Sequence, residues 1–436
     1  MSRTRVAFVS PSGLGNLGDA AIIDSLVAGI RQRLPDAEIV GFTLNPADTS
    51  VRHGVEAYTC GAFSLPHYGV RTVALPEAAQ ASDQAQGPLR RSVLRRTVAA
   101  IPGARGAWAL ARKLASEGKH RRAVAGRIRG FDLVAVAGGG QLDDFWGGPF
   151  GHPYTLWKWS HVARSAGARF AVLSVGTGSL DRRLSRWLVH RALAGAGYRS
   201  YRDERSRELV QAPSLTAVDA IVPDLAYALP LEALAHEPAR MDRRVIAVGP
   251  MCYSDPRVWP VPDEPRYRRH IGTMAAIAVR AIRDGHEVRL FVTDRPDRDA
   301  LVDARVAIQA QLSPSECERL HVPTITAVAE LMSILADADV IVAARFHAVL
   351  LGHAVGRPVL AVSHERKVTT LMAEMGHERF CAPIDELDPE LARARLAEIL
   401  EHHAQLCQSI AQVAATYRHR VEQQYDRVFG RREPCL

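Results

Sequence analysis

Strand-like apolar runs alternate with helical patterns along almost the whole chain, and this alternation constrains the fold more than any other feature. Short buried strands separated by amphipathic helices are typical of parallel α/β sheets. The runs form two sets: RVAFVS (5–10), AEIVGFT (37–43), FDLVAVAG (131–138), ARFAVLSVG (168–176) and a weaker one near 198–202, then RRVIAVGP (243–250), HEVRLFVT (286–293), a weak one near 318–322, DVIVAAR (339–345) and GRPVLAVS (356–363). A chain of 436 residues is also too long for one core, so two doubly wound domains are predicted.

The two sets of runs place the domain junction near residue 235. We expect a first Rossmann-like domain over residues 1–235 and a second over 236–436, the latter ending in a helical tail. The stretch from about 46 to 130 is long for a connection and is predicted to be a basic helical insertion in the first domain. Because doubly wound sheets bind ligands beyond the carboxyl ends of their strands, the site is expected in a cleft between the domains.

Cysteine usage and hydropathy restrict the class of protein further. The six cysteines lie far apart without a C-x-x-C pair, which argues against a disulfide framework or a zinc site and suits a reducing compartment. The apolar stretch 349–362 is interrupted by His353 and Arg357 and is too short to span a bilayer. The sequence therefore predicts a cytoplasmic protein.

Positive charge is concentrated in one segment. Between Leu89 and Arg129, twelve lysines and arginines accompany a single acid, Glu117, whereas the whole chain has a net charge of +8. Apolar residues are interleaved with these cations, so part of the segment can form a basic amphipathic helix that contacts the anionic inner surface of a membrane. The alternative is an ordinary solvated helical face. Nucleic acid is not expected as a partner, because no binding motif accompanies the charge.

A glycine-rich turn, SGLGNLGDAAI (12–22), follows the first strand and spells G-x-G-x-x-G. A dinucleotide site would also need an acid at the end of the second strand, where the chain instead has Thr43, Leu44 and Asn45. A carboxylate at Asp19 would repel a pyrophosphate as well. The turn is better suited to another anion or to polar contacts with a sugar, made at the N-terminus of the following helix. Asp19 as a simple helix cap is the alternative.

Chemically useful residues follow several other predicted strands. Gly139 and Gly140 end the third strand, where no side chain blocks a ligand from the backbone, and Arg202 follows the fifth. Arg345 and His347 come at the end of the strand DVIVAAR; Lys367 follows the next strand. Arginine offers a fork for phosphate or carboxylate, and histidine transfers protons near neutral pH. Glycine-rich strand ends are common and single histidines are often structural, but together these residues predict an anion-binding site with His347 and Arg345 as its catalytic pair.

In their order and spacing, these features resemble the polysaccharide pyruvyl transferase family from about residue 5 to 380. The motifs that carry the resemblance are G-x-x-N-x-G-D (13–19), GGG-x-L-x-D (138–144), SVG-x-G (174–178), RD-x-x-S (202–206), PD (223–224), and R-F-H (345–347) followed by G-x-P (356–358) and Lys367. One position departs from the family pattern: the residue after the histidine is usually glycine, and here it is Ala348.

The resemblance implies two Rossmann-like domains in a GT-B-like arrangement. It also implies transfer of the enolpyruvyl group of phosphoenolpyruvate to sugar hydroxyls of a polysaccharide or glycan precursor, with release of phosphate and without a cofactor or metal. His347 would donate a proton to the methylene carbon, and Arg345 would hold the phosphate or carboxylate. Lys367 and Arg202 would make further anion contacts. Asn16 and Asp19 would line the acceptor side, and Asp19, Asp143 or Asp144 would serve as the base.

Two other functions fit the same sequence. A GT-B glycosyltransferase or nucleotide-sugar enzyme shares the two-domain fold, because fold alone does not define chemistry. A non-catalytic protein of polysaccharide assembly is the second alternative, and Ala348 would then mark lost activity. If the acceptor is lipid-linked, the basic segment 89–129 would hold the protein at the membrane. The sequence identifies neither the acceptor sugar nor the oligomeric state.

Overall fold

The computed structural model describes residues 3–61, 104–145, 147–211, 215, 219–231 and 243–430. Its strands are β1 (Arg5–Val9), β2 (Glu38–Thr43), β3 (Glu56–Thr59), β4 (Leu133–Gly139), β5 (Arg169–Val175), β6 (Tyr198–Tyr201), β7 (Ala220–Ile221), β8 (Val245–Gly249), β9 (Glu287–Leu290), β10 (Leu320–His321), β11 (Val340–Ala343), β12 (Val359–Ser363) and β13 (Cys381–Pro383). Its α-helices are α1 (Leu17–Arg33), α2 (Pro46–His53), α3 (Ala104–Arg127), α4 (His152–Ser165), α5 (Arg183–Leu193), α6 (Glu204–Val210), α7 (Glu264–Arg283), α8 (Arg298–Gln309), α9 (Pro314–Cys317), α10 (Val328–Ala336), α11 (Phe346–Ala354), α12 (Arg366–Glu374), α13 (Pro389–Glu401) and α14 (His403–Phe429).

The strands form two parallel sheets, which confirms the predicted α/β class. The first has the order β3-β2-β1-β4-β5-β6-β7 and the second the order β10-β9-β8-β11-β12-β13. Strand order reverses between β1 and β4 in one sheet and between β8 and β11 in the other. These reversals open a crevice at the carboxyl ends of the strands, where doubly wound folds bind ligands. Asn16, Gly140, Arg345 and His347 all lie just beyond these strands.

Burial explains why the apolar runs become strands. All seven residues of β4 are buried, as expected for a central parallel strand covered by helices on both faces. On one face, α1 and the second domain share a continuous apolar core. On the other face, residues of α4 and α5 cover the first sheet in a separate core that includes Trp159 and Leu193.

The segment predicted as an insertion, 46–130, is only partly one. Its first residues form α2 and β3, which extend the first sheet at its edge. β3 was not recognised in the sequence because its four residues, EAYT, have no buried member and no apolar run. Residues 104–127 form α3, which supports the predicted helical character of the basic segment 89–129; the rest of that prediction, 89–103, lies outside the described residues.

The final helix, α14, follows the second domain in sequence but packs against the first. The hydroxyl groups of Tyr425 and Ser25 lie 2.9 Å apart, and Arg33 donates to Glu422 at 2.7 Å and to Asp426 at 2.8 Å. Gln424 is buried against β5 and β6, where its amide donates to Ser174. The prediction groups this helix with the second domain; the buried side chain of Tyr425 instead seals the core beside α1.

The length and hydropathy of each helix decide whether it could cross a membrane. Within the part of the chain that the structure describes, no helix is both long enough and apolar enough to cross a bilayer.

Candidate active site

The N-terminus of α1 brings the glycine-rich turn against the second domain. Asn16 caps α1, its side-chain oxygen accepting from the backbone N–H of Asp19. Its amide nitrogen donates to Asp294 at 3.2 Å across the domain interface. Gly15 has a φ of +87°, and a Cβ there would lie 3.1 Å from Cβ of Arg295. Gly15 therefore allows the loop after β9 to approach this turn closely.

His347 lies directly on Gly18. A Cβ atom on Gly18 would be only 2.1 Å from Cγ of the imidazole, so the glycine is required by the contact itself. Nε2 of His347 is buried and has no hydrogen-bond partner among the described residues. Burial lowers the pKa of His347 to about 4, so the imidazole is neutral in the free protein. An unpaired buried nitrogen of this kind costs free energy, which a ligand can recover by bonding to it.

Arg345 is held by a buried carboxylate. Its Nε and Nη2 atoms both donate to Asp297 at 2.7 Å, and Asp297 is fully buried. Nη2 also approaches the Cys252 sulfur at 3.5 Å. This two-pronged pair uses the edge of the guanidinium that a phosphate would otherwise take. In the structure the Nε–Nη2 edge of Arg345 therefore already holds a carboxylate, and its contact with a phosphate stays a prediction.

Two further cations flank one aromatic ring. The Arg202 guanidinium lies 4.4 Å from the centroid of Phe346, and the Lys367 ammonium lies 5.6 Å from it. Arg202 rests on Gly176 of the SVG-x-G motif, where a Cβ would be 2.6 Å from Nη2. Arg202 faces Asp224 at 3.4 Å, and Lys367 pairs with Glu365 at 2.8 Å. Arg202 comes from the first domain and Lys367 from the second, and both line one pocket, each with a carboxylate partner.

Removal from water, aided by neighbouring carboxylates, raises the pKa values of two carboxyl groups in the cleft. Removal from water, with Asp294 and Asp224 nearby, raises the pKa of Asp19 to about 7. Burial raises the pKa of Asp294 to about 6, although Arg345 opposes the shift. Lys367 and Arg202 also act on Asp19 and lower its pKa in part. Asp19 therefore exchanges a proton near neutral pH, which is the range required of an acid–base group.

The other predicted carboxylates have structural partners. Asp143 accepts hydrogen bonds from the backbone N–H groups of Phe145, Gly178 and Ser179. Asp144 accepts from the backbone of residues 181 and 182, before α5. No hydrogen bond to the Asp19 carboxylate occurs within the described ranges. Of the three predicted bases, Asp19 is thus the one whose carboxylate is not occupied in holding loops together.

Gly139 and Gly140 leave the end of β4 open. Gly139 has a φ of +73°, which disfavours any other residue, and a Cβ on Gly140 would have no atom within 4 Å. That the two glycines keep a path clear for a ligand stays a prediction.

Three residues of the site were not predicted from the sequence. Asp294 and Asp297 follow β9 in the run TDRPD, and Asp224 belongs to the PD motif, which was noticed but given no role. For Asp294 and Asp297 the available signal is their place in the loop after the predicted strand HEVRLFVT, since carboxyl ends of parallel strands meet at the ligand crevice. Asp224 follows the two-residue strand β7, which has no buried residue, so its strand offers no such signal.

Asp19→Asn should make folding less sensitive to pH. Between about pH 4 and pH 7 the unfolded chain has lost the Asp19 proton while the folded protein keeps it, so stability falls as pH rises through this window. Above this pH window Asp19 is ionised in the folded protein too, and the cost of holding that charge away from water lowers the stability by a constant amount. We expect the variant to melt with wild type near pH 4 and above it near pH 8 in thermal denaturation. Asp36→Asn, at an exposed position, is the control; equal melting of Asp19→Asn and wild type at both values would contradict the shift.

Two parallel α/β domains with a charged cleft between them define the class: this is a GT-B-type protein. The chain belongs to the polysaccharide pyruvyl transferase family, which it matches over residues 16–366. Among solved structures it is similar to HepE from Anabaena in complex with UDP-glucose (12% identity, TM-score 0.55, covering 98% of this chain and 99% of that one). It also resembles the UDP-GlcNAc 2-epimerase of Neisseria meningitidis bound to UDP-GlcNAc (10% identity, TM-score 0.54, covering 97% of this chain and 100% of that one). The calicheamicin glycosyltransferase CalG4 is 14% identical in sequence, with a TM-score of 0.53 over the full length of both chains.

These structural likenesses establish the fold alone. A comparison with curated proteins finds no match.

Proposed function

We propose that this protein transfers the enolpyruvyl group of phosphoenolpyruvate to hydroxyls of a glycan or lipid-linked sugar, forming a pyruvate ketal and releasing phosphate. The observation that carries the proposal is the unpartnered Nε2 of His347, buried at the domain interface of a member of this family. Arg202 and Lys367 line one pocket with Phe346, the residue next to His347, and both cations act electrostatically on the imidazole. A buried nitrogen beside two cations suits a compact anion that is to receive a proton.

Lys367 and Arg202, rather than Arg345, are the groups best placed to bind the donor's phosphate and carboxylate. Lys367 pairs with Glu365 while more than a third exposed, and such surface pairs contribute at most about 1 kcal/mol. A phosphate would compete with Glu365 for the Lys367 ammonium, and Glu365 would keep its second partner, His364, at 3.2 Å. The backbone N–H groups at the start of α11 and α12 lie at the same strand ends and add positive potential. Arg345 positions this segment through Asp297.

The proton inventory of the reaction assigns a role to His347. One hydroxyl adds to C2 of the donor, C3 gains a proton, and a second hydroxyl displaces the phosphate by forming the other C–O bond. Of the two hydroxyl protons, one balances the new methyl group and one leaves with phosphate. His347 is neutral in the free protein, but an anion bound beside it favours the imidazolium. It then donates to C3, and Asp19, across the interface, accepts from the attacking hydroxyl.

The acceptor lies on the first-domain side of the cleft, toward Asn16, Gly139 and Gly140. A lipid-linked acceptor would place the protein at the inner membrane surface, and the basic segment 89–129 is proposed to contact anionic lipid there. Its described helix, α3, carries exposed Lys119, Arg122 and Arg127. Binding to anionic vesicles that survives neutralisation of these cations would contradict their part in it.

Phosphoenolpyruvate should stabilise the protein against heat. A ligand that binds only the folded state adds about 2.7 kcal/mol at a hundred times its Kd. We expect a rise in melting temperature that is lost in Lys367→Ala and in Arg202→Ala and is retained in Lys119→Ala, an exposed lysine on α3. Arg345→Ala is a poor test, because it strands the Asp297 charge in the core.

The same melting experiment with UDP-glucose separates this proposal from the glycosyltransferase alternative. The UDP-glucose complex of HepE favours that alternative. A shift with UDP-glucose and none with phosphoenolpyruvate would replace the pyruvyl proposal. A shift with neither would favour the non-catalytic role in polysaccharide assembly.

A further inference from the structure

Helix α5 presents an outward face that the proposed chemistry does not use. Its inward side chains are buried against the first sheet. On the outer side, Leu184 and Trp187 are 44% and 51% exposed. Exposed arginines surround them: Arg182, Arg183, Arg186 and Arg191. Within the described part of the chain, none of these arginines pairs with an acid.

The described residues 143–145 and 147–150 continue this surface. Asp144 accepts from the backbone N–H of Arg182 at 3.0 Å, and a Cβ on Gly148 would lie 2.2 Å from Nη1 of the same arginine. These contacts fix the loop to the start of α5. Phe145 and Phe150 are 60% and 63% exposed, and with Trp187 they are all the exposed Phe and Trp side chains in the described ranges. We call Phe145, Phe150, Leu184, Trp187 and the four arginines the α5 patch.

The arginines at the start of the α5 patch do not stabilise helix α5. The first turn of α5 contains no acid, and Arg183 and Arg186 instead lie at the positive end of the helix dipole, where cations are unfavourable. Helix α3, with its exposed cations, packs beside α4, which packs in turn on α5. The same side of the first domain is therefore positive over three helices, and its apolar side chains are concentrated at one end.

We propose that the first domain docks on an anionic lipid bilayer through the α5 patch. Phenylalanine, tryptophan and leucine enter the headgroup boundary while arginines stay with lipid phosphates, so this composition fits a bilayer surface. Phe150 also lines a cleft with His152, Tyr154 and Lys158 at the carboxyl ends of the first sheet. Docking would turn the mouth of this cleft to the membrane. Vesicle binding needs no catalysis, so this proposal and the proposed function can fail separately.

Vesicle flotation tests the docking. Wild type should bind vesicles of phosphatidylcholine with phosphatidylglycerol, bind pure phosphatidylcholine poorly, and lose binding in high salt. Arg183→Gln with Arg186→Gln should weaken binding about thirtyfold, and Leu184→Ser with Trp187→Ser should weaken it similarly. Arg305→Gln with Val306→Ser, which changes the same kinds of exposed residue on α8, should bind as wild type.

Trp187 gives a second, local readout. Brominated lipid should quench part of the tryptophan fluorescence in wild type, and Trp187→Phe should lose that part while still binding vesicles. Wild-type affinity in both α5 double variants, or failure of wild type to bind anionic vesicles at all, would overturn the proposal. The second outcome would make a protein the occupant of the α5 patch. Thermal melting of each variant checks that it folds.

Discussion

Gly18→Ala should reduce pyruvyl transfer at least a hundredfold and abolish the melting shift with phosphoenolpyruvate. The added methyl group would lie 2.1 Å from Cγ of His347, so either the imidazole or the start of α1 must move by an ångström or more. A displacement of that size at a reacting group costs about a factor of 10² in rate. Alanine favours helix more than glycine does, so helix propensity cannot cause the loss. The measurement is the pyruvate-ketal methyl signal in envelope glycans of cells carrying the variant.

Gly272→Ala is the matched control for this substitution. Gly272 lies within α7, and a Cβ there would meet no atom within 4 Å. We expect it to keep full activity and to melt at or slightly above wild type. Wild-type ketal levels in Gly18→Ala would show that His347 does not need its present position, and the assignment of His347 as proton donor would be withdrawn.

Asp297→Ala should destabilise the second domain by about 3–5 kcal/mol, because it leaves the Arg345 guanidinium without its buried partner. The loss corresponds to a fall in melting temperature of roughly 10 °C for a domain of this size. Asp297 also accepts from the backbone N–H of Cys252 at 2.9 Å, so the loop after β8 loosens as well. Calorimetry or urea denaturation followed by circular dichroism measures the change.

Two comparisons test the cause. Asp385→Ala removes the partner of Arg266 in an ion pair that is more than a third exposed, and should cost less than about 1 kcal/mol. Replacing both partners, the buried Asp297 and the partly exposed Arg345, by Asp297→Leu with Arg345→Met should recover most of the stability and none of the activity. If Asp297→Ala costs no more than Asp385→Ala, the buried pair does not order the segment that carries His347.

Most of the fold could be predicted because its signals are local. Central strands such as β4 and β11 are continuous apolar runs, and each is followed by a helical period. Three edge strands, β3, β7 and β13, were missed because they have two to four residues and no fully buried run. Their pairing depends on neighbouring strands already in place, which is tertiary information.

The sequence predicts which residues belong to the candidate site better than it predicts which of them contact one another. Strand ends identified Arg345, His347 and Lys367, because carboxyl ends of parallel strands converge. The partner of Arg345 could not be inferred, since Asp297 lies 48 residues earlier on another strand end. The neutral state of His347 was also out of reach, because it follows from burial against Gly18. The surroundings therefore give Arg345 a carboxylate partner and fix the charge state of His347 in the free protein, while the proposed role of His347 as proton donor is unchanged.

The return of α14 to the first domain determines how cleft motion can be observed. A fluorophore near Gly430 and one near Arg3 would both move with the first domain, although the second domain lies between them in sequence. If the cleft opens when a ligand binds or leaves, their separation should stay constant. A dye on the outer face of α8, paired with either end of the chain, would instead follow the rotation of one domain against the other.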